Sequence, residues 1–469
     1  MTLSKEKPPR AVAIMSGIAN FWSQHSKKKT FVISLLTIVA LLIDYGISTF
    51  YQNFGSTLNS MFGIALFGLI TVLLYGIGAQ YLLSYCKSKS AGLKSGLAFS
   101  KLNWMTRFIQ YALLILLLAI VFEMAFNNQY NLVFYFSAVA IGTLPAVFMQ
   151  AFLGYKLLSW YKSDKRNIMI LLLGLSACVG SASQVANIVI LDVIWSTKPA
   201  IIQPETEVNF ASTFPPNIKI PYGMFITLAV MAALFEWAGI AILLYHFSKK
   251  IGRLKYWLII SLPAVGLLAG MLPVMITSQL NYSQFTDEML LVRIMIVFGA
   301  SSIYVMWAVG YLTVARKLRQ FNAQSTTASY MTLSAIGIIL LGYSFATPAF
   351  FATYPPYGLA GHSLLALGVY LFSFGFYASA VSVSQDIKLR RSIKKDAVEQ
   401  LRLVGSIGNA QMEQDIQNNV LAAARQTSEE MKSKTGIEMS ISEEESRDYL
   451  LQVLKEIEAR RDKSVAGAS

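Results

Sequence analysis

The sequence predicts an all-α fold, in which a polytopic transmembrane bundle of about ten helices carries a small helical cytoplasmic domain at its C-terminus. The first observation is composition: 55% of the 469 residues are hydrophobic and only 14% are charged, whereas soluble domains carry about 25% charged residues. The second is that the apolar residues lie in runs of about 20, enough to cross about 30 Å of hydrocarbon. The third is that basic residues cluster in every second loop, which predicts that both termini are cytoplasmic.

The chain divides into three parts. Residues 1–30 form a basic cytoplasmic N-terminal arm, residues 31–383 form the transmembrane bundle, and residues 384–469 form a cytoplasmic helical tail. A β-barrel would instead show short segments of alternating hydrophobicity. The ten predicted spans are Phe31–Phe50, Leu58–Leu83, Phe108–Phe126, Leu132–Leu158, Asn167–Ile194, Gly223–Phe247, Leu254–Ile276, Leu290–Val314, Tyr330–Pro348 and Gly358–Val383.

The net charge of +14 is explained by the orientation of the spans. Basic residues precede the first span and follow the second, fourth, sixth and eighth, as at Lys249 and Lys250. Cytoplasmic loops carry such an excess in membrane proteins. The predicted partner is therefore the lipid bilayer of the cell membrane, and no nucleic acid is expected.

The sequence contains no catalytic signature, and we expect neither enzyme activity nor a cofactor. The two cysteines, Cys86 and Cys178, lie in separate spans and predict buried thiols. The three histidines lie far apart, at His25, His246 and His362, without the spacing of metal ligands. No metal site is predicted.

Ionisable residues within the spans are the main candidate site residues, because a charge at membrane depth is costly. Glu236 lies nearest the middle of its span, and four others lie toward the predicted outer ends: Asp44, Glu123, Asp192 and Arg293. One interpretation is an outward vestibule lined by acids, with Arg293 as their partner and Glu236 as a deeper relay for protons or cations. The other is that the four outer residues reach lipid headgroups or pair with one another, and that Glu236 forms a buried structural pair.

The fifth span carries a polar stripe at helical spacing. Its members are Ser176, Gly180, Ser183, Gln184 and Asn187. Small residues allow helices to approach closely, and amides form hydrogen bonds between them. The stripe therefore predicts either a helix contact or a solute path, with Ser183, Gln184 and Asn187 as candidate cavity residues.

Two outer loops are notable for proline. Trp195–Pro221 is too short for a domain and predicts either a rigid connector or a lid. Phe350–Tyr357 is also rich in aromatic residues and predicts an anchor at the membrane interface.

The stretch Gly375–Lys395 joins the last span to the tail without proline or an interrupting glycine after Gly375. Apolar residues continue at helical spacing to Val404, so the last span is predicted to extend past the membrane. A basic cluster at the membrane surface accompanies it: Lys388, Arg390, Arg391, Lys394 and Lys395. These charges suit either contact with anionic headgroups or control of orientation.

The tail is predicted to continue as further amphipathic helices. Gly405 and Gly408 are expected to interrupt the helical pattern, and a second helix is predicted from about Ala410 to Lys432. A capping box at Ser442 opens a third helix. Such short helices bury little surface alone, so they are expected to need one another, a second copy of the chain (a homo-oligomer) or a cytoplasmic partner. The alternative is that the tail is a stabilising appendage that packs beneath the bundle.

The residues at the membrane exit also suggest a relationship. Ser382–Lys395, followed by Ser406–Glu413, resembles the corresponding region of uncharacterised multi-span membrane proteins of ammonia-oxidising archaea. The resemblance covers the last span and part of the tail. It implies an archaeal cell membrane and no activity.

Three functions remain compatible with the sequence. The leading hypothesis is a non-enzymatic sensor or transducer, in which the state of the bundle reaches the tail through Gly375–Lys395. The second is a secondary transporter or permease for a small solute, suggested by Glu236 and the polar stripe. The third is a membrane assembly or scaffold protein that uses the tail.

Overall fold

The computed structural model describes residues 27–49, 61–90, 96–163, 167–196, 200–204, 219–245, 248–280, 290–321, 326–347, 354–385 and 402–435. Within these ranges the chain is almost entirely helical. The helices are α1 (Lys27–Thr49), α2 (Met61–Thr71), a π-helix (Val72–Ala79), α3 (Gln80–Ser90), α4 (Gly96–Asn127), α5 (Leu132–Ser163), α6 (Ile168–Trp195), α7 (Lys219–Leu244), α8 (Ser248–Ile251), α9 (Arg253–Leu280), α10 (Leu290–Phe321), α11 (Thr326–Ala346), α12 (Leu359–Ser363), α13 (Leu365–Gln385) and α14 (Arg402–Thr435).

Eight helical segments in the described part of the chain are long and apolar enough to cross a membrane. They coincide with eight of the predicted spans, so the all-helical class is confirmed, and the length and composition of these helices fit a multi-pass membrane protein. The remaining two predicted spans fall on α9 and α10, helices of 28 and 32 residues that are not among those eight. A total of ten spans therefore stays a prediction.

The last span forms the centre of the bundle. In the segment Leu359–Gln385, 89% of the apolar window is buried inside the protein, against 33% for Ser100–Asn127. Helix α13 packs closely on α11, and glycines make this approach possible. A Cβ atom at Gly368 would lie 2.5 Å from the backbone nitrogen of Leu341, and one at Gly375 would lie 2.5 Å from the carbonyl oxygen of Tyr330.

The second span is divided by the π-helix between α2 and α3. A π-helical segment changes the direction in which the following side chains point and is frequent near functional sites. Here it directs Tyr75 into the core, where its hydroxyl donates to the carbonyl oxygen of Ala360 at 2.8 Å. The segment thus ties the second span to α12.

The prediction of an interfacial anchor is wrong for Tyr354 and Tyr357, because both side chains are buried. Tyr357 donates its hydroxyl to the carbonyl oxygen of Gly63 at 2.7 Å, and Tyr354 hydrogen-bonds to Asn128 at 3.0 Å. Aromatic residues with a polar tip serve in cores as well as at interfaces, once the hydroxyl has a partner. The predicted segment's other residues before Tyr354 lie outside the described ranges.

The loop after α6 is hydrogen-bonded to the connection between α4 and α5. Its strand β2 (Ile201–Ile202) pairs antiparallel with β1 (Tyr130–Asn131), the connection between α4 and α5. The side chain of Ile202, in strand β2, is buried. The part of the loop that the structure describes fits a rigid connector, whereas residues 205–218 lie outside it.

The tail helix α14 starts at Arg402 and runs without interruption through Gly405 and Gly408. The prediction that these glycines break the helix is therefore wrong. Gly408 instead provides room for α13, because a Cβ atom there would lie 2.5 Å from Cγ1 of Val383. Glycine within a helix costs about 1 kcal/mol relative to alanine, and here the close approach of α13 leaves no room for a Cβ atom.

Several predictions for the tail fall outside the described residues. They concern the helix beyond Gln385, the basic cluster from Lys388 to Lys395 and the third helix after Ser442. Whether the last span continues as one helix past the membrane stays a prediction.

Candidate functional site

The five ionisable residues predicted within the spans have different environments. Asp44 and Glu236 are buried, Glu123 is half-buried and Asp192 is exposed. Glu123 accepts a hydrogen bond from the backbone N–H of Asn131 at 2.8 Å, which secures the turn into α5. Arg293 lies in the first turn of α10, and its side chain is outside the described part of the structure.

Asp44 completes the short helix α12. Its two carboxylate oxygens accept the backbone N–H groups of Gly358 at 3.0 Å and Gly361 at 2.7 Å. These donors lie at the start of a helix, where N–H groups lack partners within the helix and favour a negative charge. Gly358 has a φ angle of +89°, which glycine adopts readily. Headgroup contact is therefore the wrong interpretation for Asp44.

Other polar groups surround α12 without forming a reactive arrangement. His362 is buried, and its Nε2 lies 3.4 Å from the hydroxyl of Thr143 on α5. The hydroxyl of Tyr75 holds the carbonyl oxygen of Ala360 on the same short helix. The residues around Asp44 hold in place the junction between α12 and α13, at the N-terminal end of the last span.

Glu236 on α7 lines a small cavity. The cavity measures about 20 Å³ for water-sized spheres, which is room for about one water molecule. Gln150, Ser176 and Tyr311 supply its other polar lining, and apolar residues enclose the rest. Ser176 hydrogen-bonds to the Glu236 carboxylate.

Two buried oxygens at this cavity have no hydrogen-bond partner within the described residues. They are Oε2 of Glu236 and the hydroxyl oxygen of Tyr311. A buried polar atom without a partner costs about 1–3 kcal/mol, and more when it is charged. Two buried oxygens that lack hydrogen-bond partners and line the same cavity are therefore the arrangement expected of a binding site.

The backbone around Glu236 is held by α10. The indole N–H of Trp307 donates to the carbonyl oxygen of Glu236 at 3.0 Å. Gly239, one turn later on α7, allows this indole to approach, since a Cβ atom there would lie 3.0 Å from Cζ2 of Trp307. The carboxylate is consequently positioned by two neighbouring helices, α6 and α10.

The polar stripe of α6 does not act as one unit. Ser176 reaches the Glu236 cavity, whereas Ser183 donates to the carbonyl oxygen of Phe225 at 3.4 Å and Gly180 faces Gln150. Asn187 donates to Gln184 at 3.5 Å, and both are buried. The contacts of Ser183 and Gly180 fit the predicted helix contact, and only the start of the stripe lines the cavity.

Aromatic rings continue from the cavity to the end of α5. Trp307 stacks on Tyr311 with ring centroids 5.3 Å apart, and Tyr311 meets Phe376 edge to face at 6.3 Å. Phe376 stacks on Trp160 at 6.4 Å. We name these four residues the aromatic path; it crosses from α10 through α13 to α5.

The aromatic path ends at the tail helix. The indole N–H of Trp160 donates to Oε1 of Gln414 at 3.1 Å, and the Gln414 amide donates to the hydroxyl of Ser159 at 2.8 Å. Ile407 and Ala410 are buried in the same contact. The first third of α14 is therefore docked against α5 and α13, which agrees with the alternative of an appendage packed against the bundle.

Sequence reasoning identified Glu236 and Ser176 but missed Gln150, Trp307 and Tyr311. Trp307 and Tyr311 are four residues apart on one helix face, a spacing typical of core packing. Among the described residues, no group of three or more histidine, cysteine, aspartate or glutamate side chains could hold a metal ion.

Comparisons with protein-family models, curated proteins and solved structures found no match to this chain. The resemblance to archaeal membrane proteins stays a prediction.

Proposed function

We propose that this chain is a non-enzymatic membrane sensor or transducer, in which a change at the Glu236 cavity alters the docking of the tail helix α14. The observation that carries the proposal is the aromatic path, which joins the cavity lining at Trp307 to the Trp160–Gln414 hydrogen bond. Packed side chains of this kind can carry coupling between distant sites. The aromatic path therefore supports coupling between the Glu236 cavity and α14.

The route differs from the one that the sequence suggested. Coupling through Gly375–Lys395 requires a helix that continues beyond Gln385. Lateral docking requires only that α14 contacts α5 and α13, as Gln414 and Gly408 do. The proposed transducer thus uses the side of the last span rather than its extension.

The contacts of α14 also support a proposed topology of ten spans with both termini in the cytoplasm. The tail docks at the end of α5 that carries Lys156 and Lys162, a basic end that the positive-inside bias assigns to the cytoplasm. Beyond the docked part, Ile416 and Val420 are exposed. We propose that this part of α14 contacts a second copy or a cytoplasmic partner.

Hydrogen exchange of the full-length protein in lipid nanodiscs tests the coupling. Exchange of residues 407–415 is expected to change several-fold in Glu236→Gln relative to the wild type, because the cavity lining repacks and the aromatic path with it. Asp192→Asn is the matched control, since Asp192 is an exposed carboxylate on α6. Unchanged exchange in a folded Glu236→Gln protein would contradict the proposal.

A secondary transporter is the second candidate, and the Glu236 cavity favours it because buried carboxylates relay protons or cations in transporters. In this conformation the cavity has room for about one water molecule, so an organic solute would need a different conformation. Uptake by proteoliposomes would be compared for the wild type, Glu236→Gln and Asn187→Ala. Unchanged uptake of every solute tested would eliminate this candidate.

A further inference from the structure

We propose that Glu236, Tyr311 and Gln150 form a binding site for one sodium-sized monovalent cation. The inference goes beyond the proposed transducer function and does not depend on it, since a bundle can hold a cation without signalling to its tail. It starts from two fully or nearly buried oxygens, Oε2 of Glu236 and the hydroxyl of Tyr311, that line one cavity and lack partners in the described structure.

The charge of the site favours a monovalent cation. The described residues that line the cavity include no lysine, arginine or histidine, so no side chain there neutralises the Glu236 carboxylate. An isolated carboxylate in a low-dielectric interior is very costly. One monovalent cation makes the site neutral, whereas a divalent cation would leave a net positive charge in the same apolar enclosure.

The donor atoms favour a hard cation. The site offers the unpartnered carboxylate oxygen of Glu236 and the phenolic oxygen of Tyr311, and the carboxamide of Gln150 also lines the cavity. Oxygen donors without thiolate or imidazole suit hard cations rather than transition metals. The Ser176 hydroxyl, which hydrogen-bonds to the carboxylate, fixes its orientation from α6.

The volume of the cavity favours a small cation. A space of about 20 Å³ holds about one water-sized particle, and a sodium ion is smaller than a water molecule. A potassium ion is about as large as a water molecule and makes longer contacts with oxygen than sodium does, so the small space between walls such as Trp307 and Phe372 suits it less well. We therefore expect sodium to bind more tightly than potassium, and choline to be excluded.

Thermal unfolding of the full-length protein in nanodiscs tests the site. At pH 8 and constant ionic strength, replacing choline chloride with sodium chloride is expected to raise the apparent Tm by about 2–5 °C in a saturable manner. Potassium chloride is expected to give a smaller shift at the same concentration. Direct binding of radioactive ²²Na⁺ to the purified protein provides a second readout.

Two variants make the test specific. Glu236→Gln keeps the size of the side chain and is expected to abolish both the sodium-dependent shift and ²²Na⁺ binding. Tyr311→Phe removes only the hydroxyl and is expected to weaken sodium binding at least several-fold, which keeps the test valid if the first variant does not fold. Asp192→Asn, with its exposed carboxylate replaced, is expected to respond like the wild type.

Three results would overturn the cation site. The first is identical unfolding of the wild type in sodium and choline, and the second is a sodium response that both Glu236→Gln and Tyr311→Phe retain. The third is a Tm that depends on pH but not on sodium and loses its pH dependence in Glu236→Gln, because a proton alone would then neutralise the carboxylate. None of these results bears on the exchange of residues 407–415, so the transducer proposal is tested separately.

Discussion

Asp44 and Glu236 are both buried carboxylates in the helical bundle, and their surroundings differ in one respect. Both oxygens of Asp44 accept backbone N–H groups, at 3.0 Å from Gly358 and 2.7 Å from Gly361. One oxygen of Glu236 has no partner within the described chain and lies beside a cavity of about 20 Å³. Burial alone therefore does not distinguish a structural acid from a functional one, whereas the partners of each oxygen do.

The two carboxylates differ in the polar groups that they satisfy. Asp44 supplies acceptors to the N-terminus of α12, a five-residue helix buried within the bundle, where unpaired N–H groups would otherwise remain. Removing it damages the fold. Glu236 accepts a hydrogen bond from Ser176, but its Oε2 has no partner in the described structure, so its replacement by a neutral side chain removes a buried charge without a counter-ion. The two residues should accordingly respond to substitution in opposite directions.

The largest effect is expected for Asp44→Ala. The substitution leaves the N–H groups of Gly358 and Gly361 buried without acceptors, and each such group costs about 1–3 kcal/mol. We expect the free energy of unfolding to fall by about 2–6 kcal/mol, measured by denaturant unfolding in micelles. Asp192→Asn, an exposed position, should stay within about 0.5 kcal/mol; an equal loss in both variants would refute the assignment of Asp44.

Gly361→Ala disturbs the contact between Asp44 and α12 by a change in α12 itself. The added Cβ atom would lie 2.9 Å from Oδ2 of Asp44 and 2.9 Å from Cδ1 of Leu41. Overpacking of a buried contact costs about 1–3 kcal/mol, so a moderate loss of stability is expected in the same unfolding assay. Gly223→Ala is a matched control, because a Cβ atom there would meet nothing within 4 Å. Equal stability of the two variants would show that α12 shifts freely.

Tyr75→Phe tests the support that the π-helix gives to α12. It removes the hydrogen bond from the Tyr75 hydroxyl to the carbonyl oxygen of Ala360 and keeps the ring. A neutral hydrogen bond contributes about 0.5–1.5 kcal/mol, and the unfolding free energy should fall by that amount. A variant as stable as the wild type would indicate that another donor reaches Ala360.

The smallest effect on stability is expected for Glu236→Gln, and its sign is the informative part. Because the substitution replaces a buried charge that has no counter-ion among the described cavity residues, the unfolding free energy measured without sodium should stay equal or rise. A fall comparable to that of Asp44→Ala would mean that the carboxylate has a structural role beyond its hydrogen bond with Ser176, and the contrast between the two acids would be lost.

Much of the fold follows from the sequence because spans are specified by length and hydropathy. Eight predicted spans match helices that satisfy both criteria. What the sequence could not show is where an individual side chain points within the packed bundle. Tyr354 and Tyr357 belong to a segment whose composition is typical of a membrane interface, yet both lie in the core. Gly408 is a residue type that often ends a helix, yet here it lies within α14 and contacts α13.

Only Glu236 and Ser176 of the candidate site could be predicted from the sequence. Glu236 is conspicuous because acids are rare in the middle of a span. Its neighbour Tyr311 is an aromatic residue on another helix, and the contact of Trp160 with Gln414 joins residues 254 positions apart. No local pattern encodes such contacts, since they depend on how α5, α10, α13 and α14 assemble.

Trp160 lies between the Glu236 cavity and the tail helix in the aromatic path, and we propose that it couples them. Fluorine NMR of the full-length protein labelled with 5-fluorotryptophan tests it directly, with the Trp160 signal assigned by its loss in Trp160→Phe. This signal is expected to shift both in Gln414→Leu, which removes its hydrogen-bond partner, and in Glu236→Gln, and to stay unchanged in Asp192→Asn. A Trp160 signal that responds to Gln414→Leu but not to Glu236→Gln would contradict the coupling.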